Sequence, residues 1–193
     1  MGDGAAKSSR RERSDAVLNR ERIVETATRV FSAQGRNAKL DAIAREAGVG
    51  IGTLYRHFPT REALFEAVYR HEVEHLAELA GELAQEADPV EALRQWLHAN
   101  VRLMATKKGM IEAMQLVAYG SELKAYSFAR LTGALTPLLE RGVAAGALRA
   151  DITAEDLLRT LVGILYAEAG GDSSLRILDV FVDGLRRNPK ATS

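Results

Sequence analysis

Five consecutive residues, His71-Glu72-Val73-Glu74-His75, read H-E-x-x-H. On a helix this pattern sets two histidines one turn apart as zinc ligands, with a glutamate beside them as the base that activates a metal-bound water. Such chemistry belongs to a zinc-dependent hydrolase, or to a metal-binding sensor where no substrate cleft exists. It needs a third ligand, and the spacing selects none: Glu91, His98 and Glu112 are candidates only. The motif also lies in an evenly charged stretch with Glu66, Glu78 and Glu82, where a match arises readily by chance. No cysteine occurs in the 193 residues, which excludes thiolate zinc sites and disulfide frameworks. The expectation is a protein that is not an enzyme and carries no cofactor and no metal, with zinc chemistry at His71, Glu72 and His75 as the alternative.

A second constellation, Leu40 to Phe58, reads LDAIAREAGVGIGTLYRHF. Two short helices that cross at a tight turn need small residues at the crossing and a glycine between them. Ala44 and Ala47 are the small residues, Gly48 stands at the turn, and Val49 fills the angle between the helices. This is the layout of a helix-turn-helix, whose second helix offers its first residues to the edges of DNA bases. Ile51 lies between Gly50 and Gly52 at the exposed start of that helix. An apolar side chain there has no core to enter but suits a thymine methyl, so Ile51 is expected to help choose sequence.

Other helices must hold these residues, and the apolar spacing supplies them. Ile23, Ala27, Val30 and Phe31 share one face of a helix that begins near Glu21 and closes at Gly35. Leu40, Ile43, Ala44 and Ala47 mark a second helix, and Leu54, Tyr55 and Phe58 a third that stops at Pro59. Thr60 caps a fourth helix reaching about Glu86. Asp88-Pro89 opens a fifth, ended by Lys107, Lys108 and Gly109. A sixth runs from Ser121 past Pro137 to about Ala144, Thr153 caps a seventh, and the last covers about Ser173 to Arg187. With Ala, Leu, Glu and Arg dominant and only four prolines, the fold class is all-α. Residues 1–19 have almost nothing to bury and read as a flexible basic arm. Residues 20–65 form a three-helix helix-turn-helix domain, and 66–193 a larger helical domain.

The formal net charge of zero hides a split. Met1 to Arg61 holds 12 Lys and Arg against 7 Asp and Glu, whereas Glu62 to Ser193 holds 14 against 19. The basic end suits a phosphate backbone, which Lys7, Arg10, Arg11 and Arg13 of the arm and the adjoining Arg20 are placed to reach. No run of about 18 apolar residues is present to span a bilayer, and the polar N-terminus is unlike a signal peptide. A cytoplasmic protein with no membrane partner is expected.

The stretch Ile43 to Val49, then Gly52 to Phe58, then Arg61, Glu62 and Leu64, closely resembles the N-terminal pattern of the tetracycline-repressor (TetR) family. That pattern runs Ile-Ala-x-x-Ala-Gly-Val, Gly-Thr-Leu-Tyr-x-His-Phe, then Lys or Arg, Glu and Leu. The resemblance implies that Thr53, Tyr55 and His57 contact a double-stranded DNA operator, with Tyr55 donating to a phosphate. It also implies that Arg61 holds another phosphate at the start of the fourth helix. Two positions depart from the pattern: Lys39 and Gly50 stand where Ser or Thr usually opens the second and the recognition helix. Each missing hydroxyl cap costs about 1 kcal/mol, less for glycine. Lys39 offsets its loss if it meets a phosphate.

Trp96, Met104, Met110, Met114, Tyr119 and Phe128 recur along the larger domain, and aromatics with methionines make adaptable apolar cavities. In the resembling family these helices enclose a small-molecule effector. A mainly apolar or aromatic ligand is therefore expected, with Gln115, His98 and Glu112 as polar contacts. The last two helices resemble the family's homodimer interface, here through Leu158, Leu161, Leu165, Leu175, Leu178, Val182 and Leu185. A two-fold dimer implies a palindromic operator and, in the family's usual mode, repression released by the effector.

Overall fold

The computed structural model describes residues 3–114, 121–167 and 172–187, and side chains for 15–35, 37–103, 122–164 and 173–187. Eight α-helices follow one another among the described residues: α1 (Asp3–Gln34), α2 (Leu40–Glu46), α3 (Ile51–His57), α4 (Arg61–Leu83), α5 (Pro89–Met114), α6 (Ser121–Ala144), α7 (Ala154–Ala167) and α8 (Asp172–Gly184). A single 3₁₀ turn, Gly35–Asn37, follows α1. The chain divides into two compact units. One comprises Met1–His71 with Gly109–Gln115, the other Glu72–Lys108 with Leu116–Ser193.

In the first unit, α1 buries Ile23, Val24, Ala27, Val30 and Phe31 and is stopped by Gly35, whose φ of 53° only a residue without Cβ adopts cheaply. The helix begins at Asp3, so the arm expected to be irregular is helical. Its residues lack an apolar stripe, and Val17 and Leu18 stay exposed. Ala, Arg, Lys and Glu are nevertheless good helix formers, and extending an existing helix avoids the cost of nucleation. Gly48, at φ 67°, ends α2. Its N–H donates to the Arg45 carbonyl at 3.1 Å, and that of Val49 to Ala44 at 2.9 Å, which satisfies the last carbonyls and aims the chain into α3.

The remaining helix starts are built as their caps require. Thr60 Oγ1 accepts from the Ala63 N–H at 3.1 Å, and Asp88 Oδ1 from Val90 at 2.8 Å and Glu91 at 3.3 Å. These two backbone bonds, Val90 first, hold the Asp88 carboxyl below the usual carboxylate range. Thr153 and Asp156 cap each other reciprocally: the Asp156 N–H donates to Thr153 Oγ1 at 3.2 Å, and the Thr153 N–H to Asp156 Oδ2 at 3.0 Å.

Three helix ends differ from expectation. α4 stops at Leu83, where Arg141 donates to the Leu83 and Ala84 carbonyls at 3.3 and 2.8 Å. α5 passes through Lys107, Lys108 and Gly109 to Met114, because one glycine costs a helix only about 1 kcal/mol and the residues around it favour helix. α8 ends at Gly184, since the next residues pair with the turn after α6. There Arg149 N–H donates to the Leu185 carbonyl, and Arg187 N–H to that of Ala147, both at 2.9 Å. That turn is possible because Gly142 has no side chain; a Cβ would collide with Leu148, which is itself buried.

Candidate nucleic-acid interface

On α3 the inner and outer faces differ sharply. Leu54 is fully buried and Phe58 nearly so, while Ile51 and Tyr55, one turn apart on the opposite face, are 38% and 48% exposed. Thr53 and His57 are half-buried beside them. Gly50 stands at the N-cap with no side-chain cap, and no atom lies within 4 Å of where a Cβ on Gly52 would be. Ile51 is therefore an unshielded apolar side chain at the start of the helix. Lys39, the exposed N-cap of α2, likewise makes no capping bond, so its ammonium is not used to close the helix.

Arg61 has partners within the chain. Its Nη1 donates to the Ala38 carbonyl and its Nη2 to that of Gly35 at 3.4 Å, and the guanidinium carbon lies 5.2 Å from the centre of the Phe31 ring. It thus ties the 3₁₀ turn and the entry to α2 onto α1 and α4 inside the unit. Arg20, expected above to reach the DNA backbone, lies on α1 with its guanidinium 5.3 Å from the Phe58 ring centre, bracing the end of α3. Neither role has a local signal, because each partner is distant in the chain.

The second unit places the remaining candidates. Trp96 is wholly buried and its Nε1 donates to the Leu76 carbonyl at 2.8 Å, so it joins α5 to α4. Phe128, half-buried on α6, lies under the Arg159 guanidinium of α7 at 5.8 Å. Met104, Met110, Met114 and Glu112 fall on α5, but their side chains lie outside the described residues, as do Gln115 and Tyr119 altogether. His98 faces α8: its Nε2 is 2.8 Å from Asp179 Oδ1, an atom that also accepts from Arg94 Nη1 at 2.7 Å, while Arg94 Nη2 reaches Asp183 at 2.6 Å. The Arg94 hydrogen bond chiefly, opposed by burial and aided by His98, holds the Asp179 carboxyl below its ordinary range.

Of the residues expected at the dimer face, Leu158, Leu161, Leu178, Val182 and Leu185 are buried within the chain's own core and Leu175 is half-buried; the Leu165 side chain lies outside the described residues. Among the described residues, the exposed large apolar side chains of α7 and α8 are instead Val162, Ile177 and Val180, the last 74% exposed. The zinc alternative is not supported. Glu74, a variable position of that motif, accepts from Tyr126 and from Arg130 at 2.9 Å, and the Arg130 bond above all lowers its carboxyl pKa. Among the described residues no three His, Asp or Glu side chains group to hold a metal. No described helix is long and apolar enough to cross a membrane.

Residues 23–68 match the model of bacterial regulatory proteins of the tetR family, and residues 88–187 the C-terminal domain of SbtR-like transcriptional regulators. The fold is shared with the TetR transcriptional regulator SCO0520 from Streptomyces coelicolor, at a TM-score of 0.75 and 43% identity over 88% of this chain and 99% of that one. The chain belongs to the TetR family. A TetR regulatory protein from Mycobacterium vanbaalenii is similar at 37% identity and a TM-score of 0.71, covering 91% of this chain and 99% of its own. An HTH-type transcriptional regulator of Staphylococcus aureus (strain bovine RF122 / ET3-1) is 47% identical over 53 residues, which are 27% of this chain but only 29% of that protein's length. As a TetR-family member the protein is a DNA-binding transcriptional regulator, and α2 with α3 is its helix-turn-helix.

Proposed function

We propose that the protein is a repressor that binds a palindromic operator as a homodimer in the cytoplasm and is released by a small, mainly apolar or aromatic effector. The observation that carries the reading is the outer face of α3, where Ile51 and Tyr55 stand exposed on a helix whose inner face is closed by Leu54. Ile51 meets base edges. Thr53, Tyr55 and His57 contact the operator beside it, Tyr55 through a phosphate, and Lys39 meets a phosphate at the start of α2. The bare backbone at Gly50 lets the helix approach closely. Arg61 holds the helix-turn-helix together and takes no phosphate.

Homodimerisation through α7 and α8 covers Val162, Ile177 and Val180 and sets the spacing of two recognition helices on successive major grooves. Effector binding near Trp96, Met104, Met110, Met114, Gln115, Tyr119 and Phe128 shifts that spacing. It can do so only by favouring one state of the dimer over the other.

The test is binding of the purified protein to DNA upstream of its own gene across a salt series. Binding to a palindromic segment that weakens steeply with salt is expected, and Tyr55→Phe should weaken it without unfolding the protein. Binding that is equally tight to unrelated DNA, or insensitive to salt, would overturn the reading.

A further inference from the structure

Several arginines of the first unit end on a partner within the chain. Arg29 reaches Glu46 at 2.8 Å and Arg70 reaches Glu66 at 3.0 Å; Arg61 donates to the Ala38 and Gly35 carbonyls, and Arg20 lies over the Phe58 ring. Arg22 stands on the same side of α1 as Arg29, seven residues before it. It is exposed and makes no hydrogen bond or ion pair among the described residues. Its guanidinium nevertheless has a definite place, against the turn between α2 and α3. A Cβ on Gly48 would stand 2.6 Å from Arg22 Nη2 and 3.8 Å from its Cζ. Gly48 is exposed and lies three residues before Ile51, the first residue of α3. Gly48 and Gly50 carry no side chain to screen the guanidinium. Arg45 and Arg56 are exposed without such bonds as well, and what distinguishes Arg22 is its place on the turn.

An arginine that only braces a turn donates into it, as Arg61 does to Ala38 and Gly35. Arg22 is set on the turn with its donors unspent. A guanidinium presents its N–H groups in a planar fork, and that fork matches two oxygens of a phosphate. We propose that Arg22 is a phosphate clamp for the recognition helix: with α3 in the major groove, it takes one backbone phosphate of each operator half-site beside the α2–α3 turn. This rests on the operator-binding reading above. The clamp sets the register at which Ile51 meets a base pair and reads no sequence itself. It also gives Gly48 a second requirement besides its φ of 67°, since any side chain there would displace the guanidinium.

The experiment compares the full-length wild type with Arg22→Gln and Arg22→Lys on the palindromic operator segment. Affinity is measured across a salt series, folding by thermal melting, and individual phosphate contacts by ethylation interference. Arg22→Gln should melt with the wild type and bind all operator variants about tenfold more weakly. It should also reduce the slope of log affinity against log salt by about 0.9 for each subunit bound. One phosphate per half-site whose ethylation blocks the wild type should cease to matter. Arg22→Lys should keep the slope and recover only part of the affinity, because an ammonium supplies the charge without the fork. Arg22→Met serves the same purpose if the glutamine variant does not fold. An unchanged slope and ethylation pattern in folded Arg22→Gln would overturn the clamp. So would a lower melting temperature with the slope intact, which would make Arg22 a brace of the turn, or a loss confined to one base pair, which would make it a reader of bases. A wild-type protein that binds no palindrome, or binds it without salt dependence, would remove the operator reading itself and the clamp with it.

Discussion

In the first unit the helices α1 to α3 close on apolar side chains, Ile23, Phe31, Ile43 and Leu54 among them, and Ile51, Tyr55 and Lys39 are turned outward. In the second unit polar side chains reach from helix to helix: Arg94 and His98 from α5 to α8, Glu74 from α4 to Tyr126 and Arg130 of α6, and Arg141 from α6 to the end of α4. The contrast separates two designs. Where contact with the outside is made by side chains that hold nothing else in place, binding and stability can be changed independently. Where polar groups tie helices together, as Arg61 also does within the first unit, a substitution is expected to change stability as well.

The largest expected effect tests the interior of the second unit. Trp96→Ala removes the largest fully buried side chain and its bond to Leu76, and should cost about 3–5 kcal/mol by chemical denaturation. A cost below about 1 kcal/mol would mean that this interior repacks freely, and the contrast with the first unit would fail. In the first unit, Gly48→Ala forces a Cβ into φ 67° and should cost about 1–2 kcal/mol. Because this turn aims α3, operator affinity should fall with it, unlike the response to changes on the outer face.

Arg94→Ala probes the polar link and should cost about 1–2 kcal/mol, reduced by the partial exposure of both aspartates. Its pH dependence has a defined sign. The Asp179 carboxyl titrates lower folded than unfolded, first through Arg94 and then His98. The stability it contributes is complete above the unfolded value, about 4, and is lost as pH falls through the lower folded value. The gap between wild type and Arg94→Ala should therefore narrow in acid. A gap that is constant from pH 7 to pH 3 would show that the arginine acts by packing alone.

The same contrast explains what the sequence made legible. The helix-turn-helix could be read because its signals are local: a glycine at each left-handed turn, a proline after Phe58, and apolar residues at helical spacing. The helix caps at Thr60, Asp88 and Thr153 were readable for the same reason. The helical arm was not, because amphipathic spacing marks helices that bury a face and the sequence of this segment has no apolar stripe. The bonds of Arg61 to Ala38 and Gly35 were not legible because these acceptors lie 23 and 26 residues away. The bonds of His98 to Asp179 and of Glu74 to Tyr126 and Arg130 were not legible for a similar reason: the partners are 81 residues away and 52 to 56 residues away. Burial of Leu158, Leu161 and Leu178 in one chain's core, with Ile177 and Val180 left outside, depends on which helix face meets a neighbour. Spacing alone gives the stripe and not its partner.

The smallest effect is the most discriminating for the first unit. Ile51→Ala should leave unfolding free energy within about 0.5 kcal/mol of the wild type, since the residue lies on the exposed face of α3. It should change relative affinities among operator variants at a single base pair by about 1 kcal/mol or less, the scale of one lost methyl contact, and leave the salt dependence alone. Lys39→Ala should do the reverse, weakening all sequences alike and reducing the salt slope by about one. Arg61→Ala should lower stability and leave the slope unchanged. An Ile51→Ala protein that discriminates operators as well as the wild type would remove this side chain from readout. An Arg61→Ala protein with a reduced slope would place that guanidinium on a phosphate and erase the separation between holding the fold and meeting the DNA.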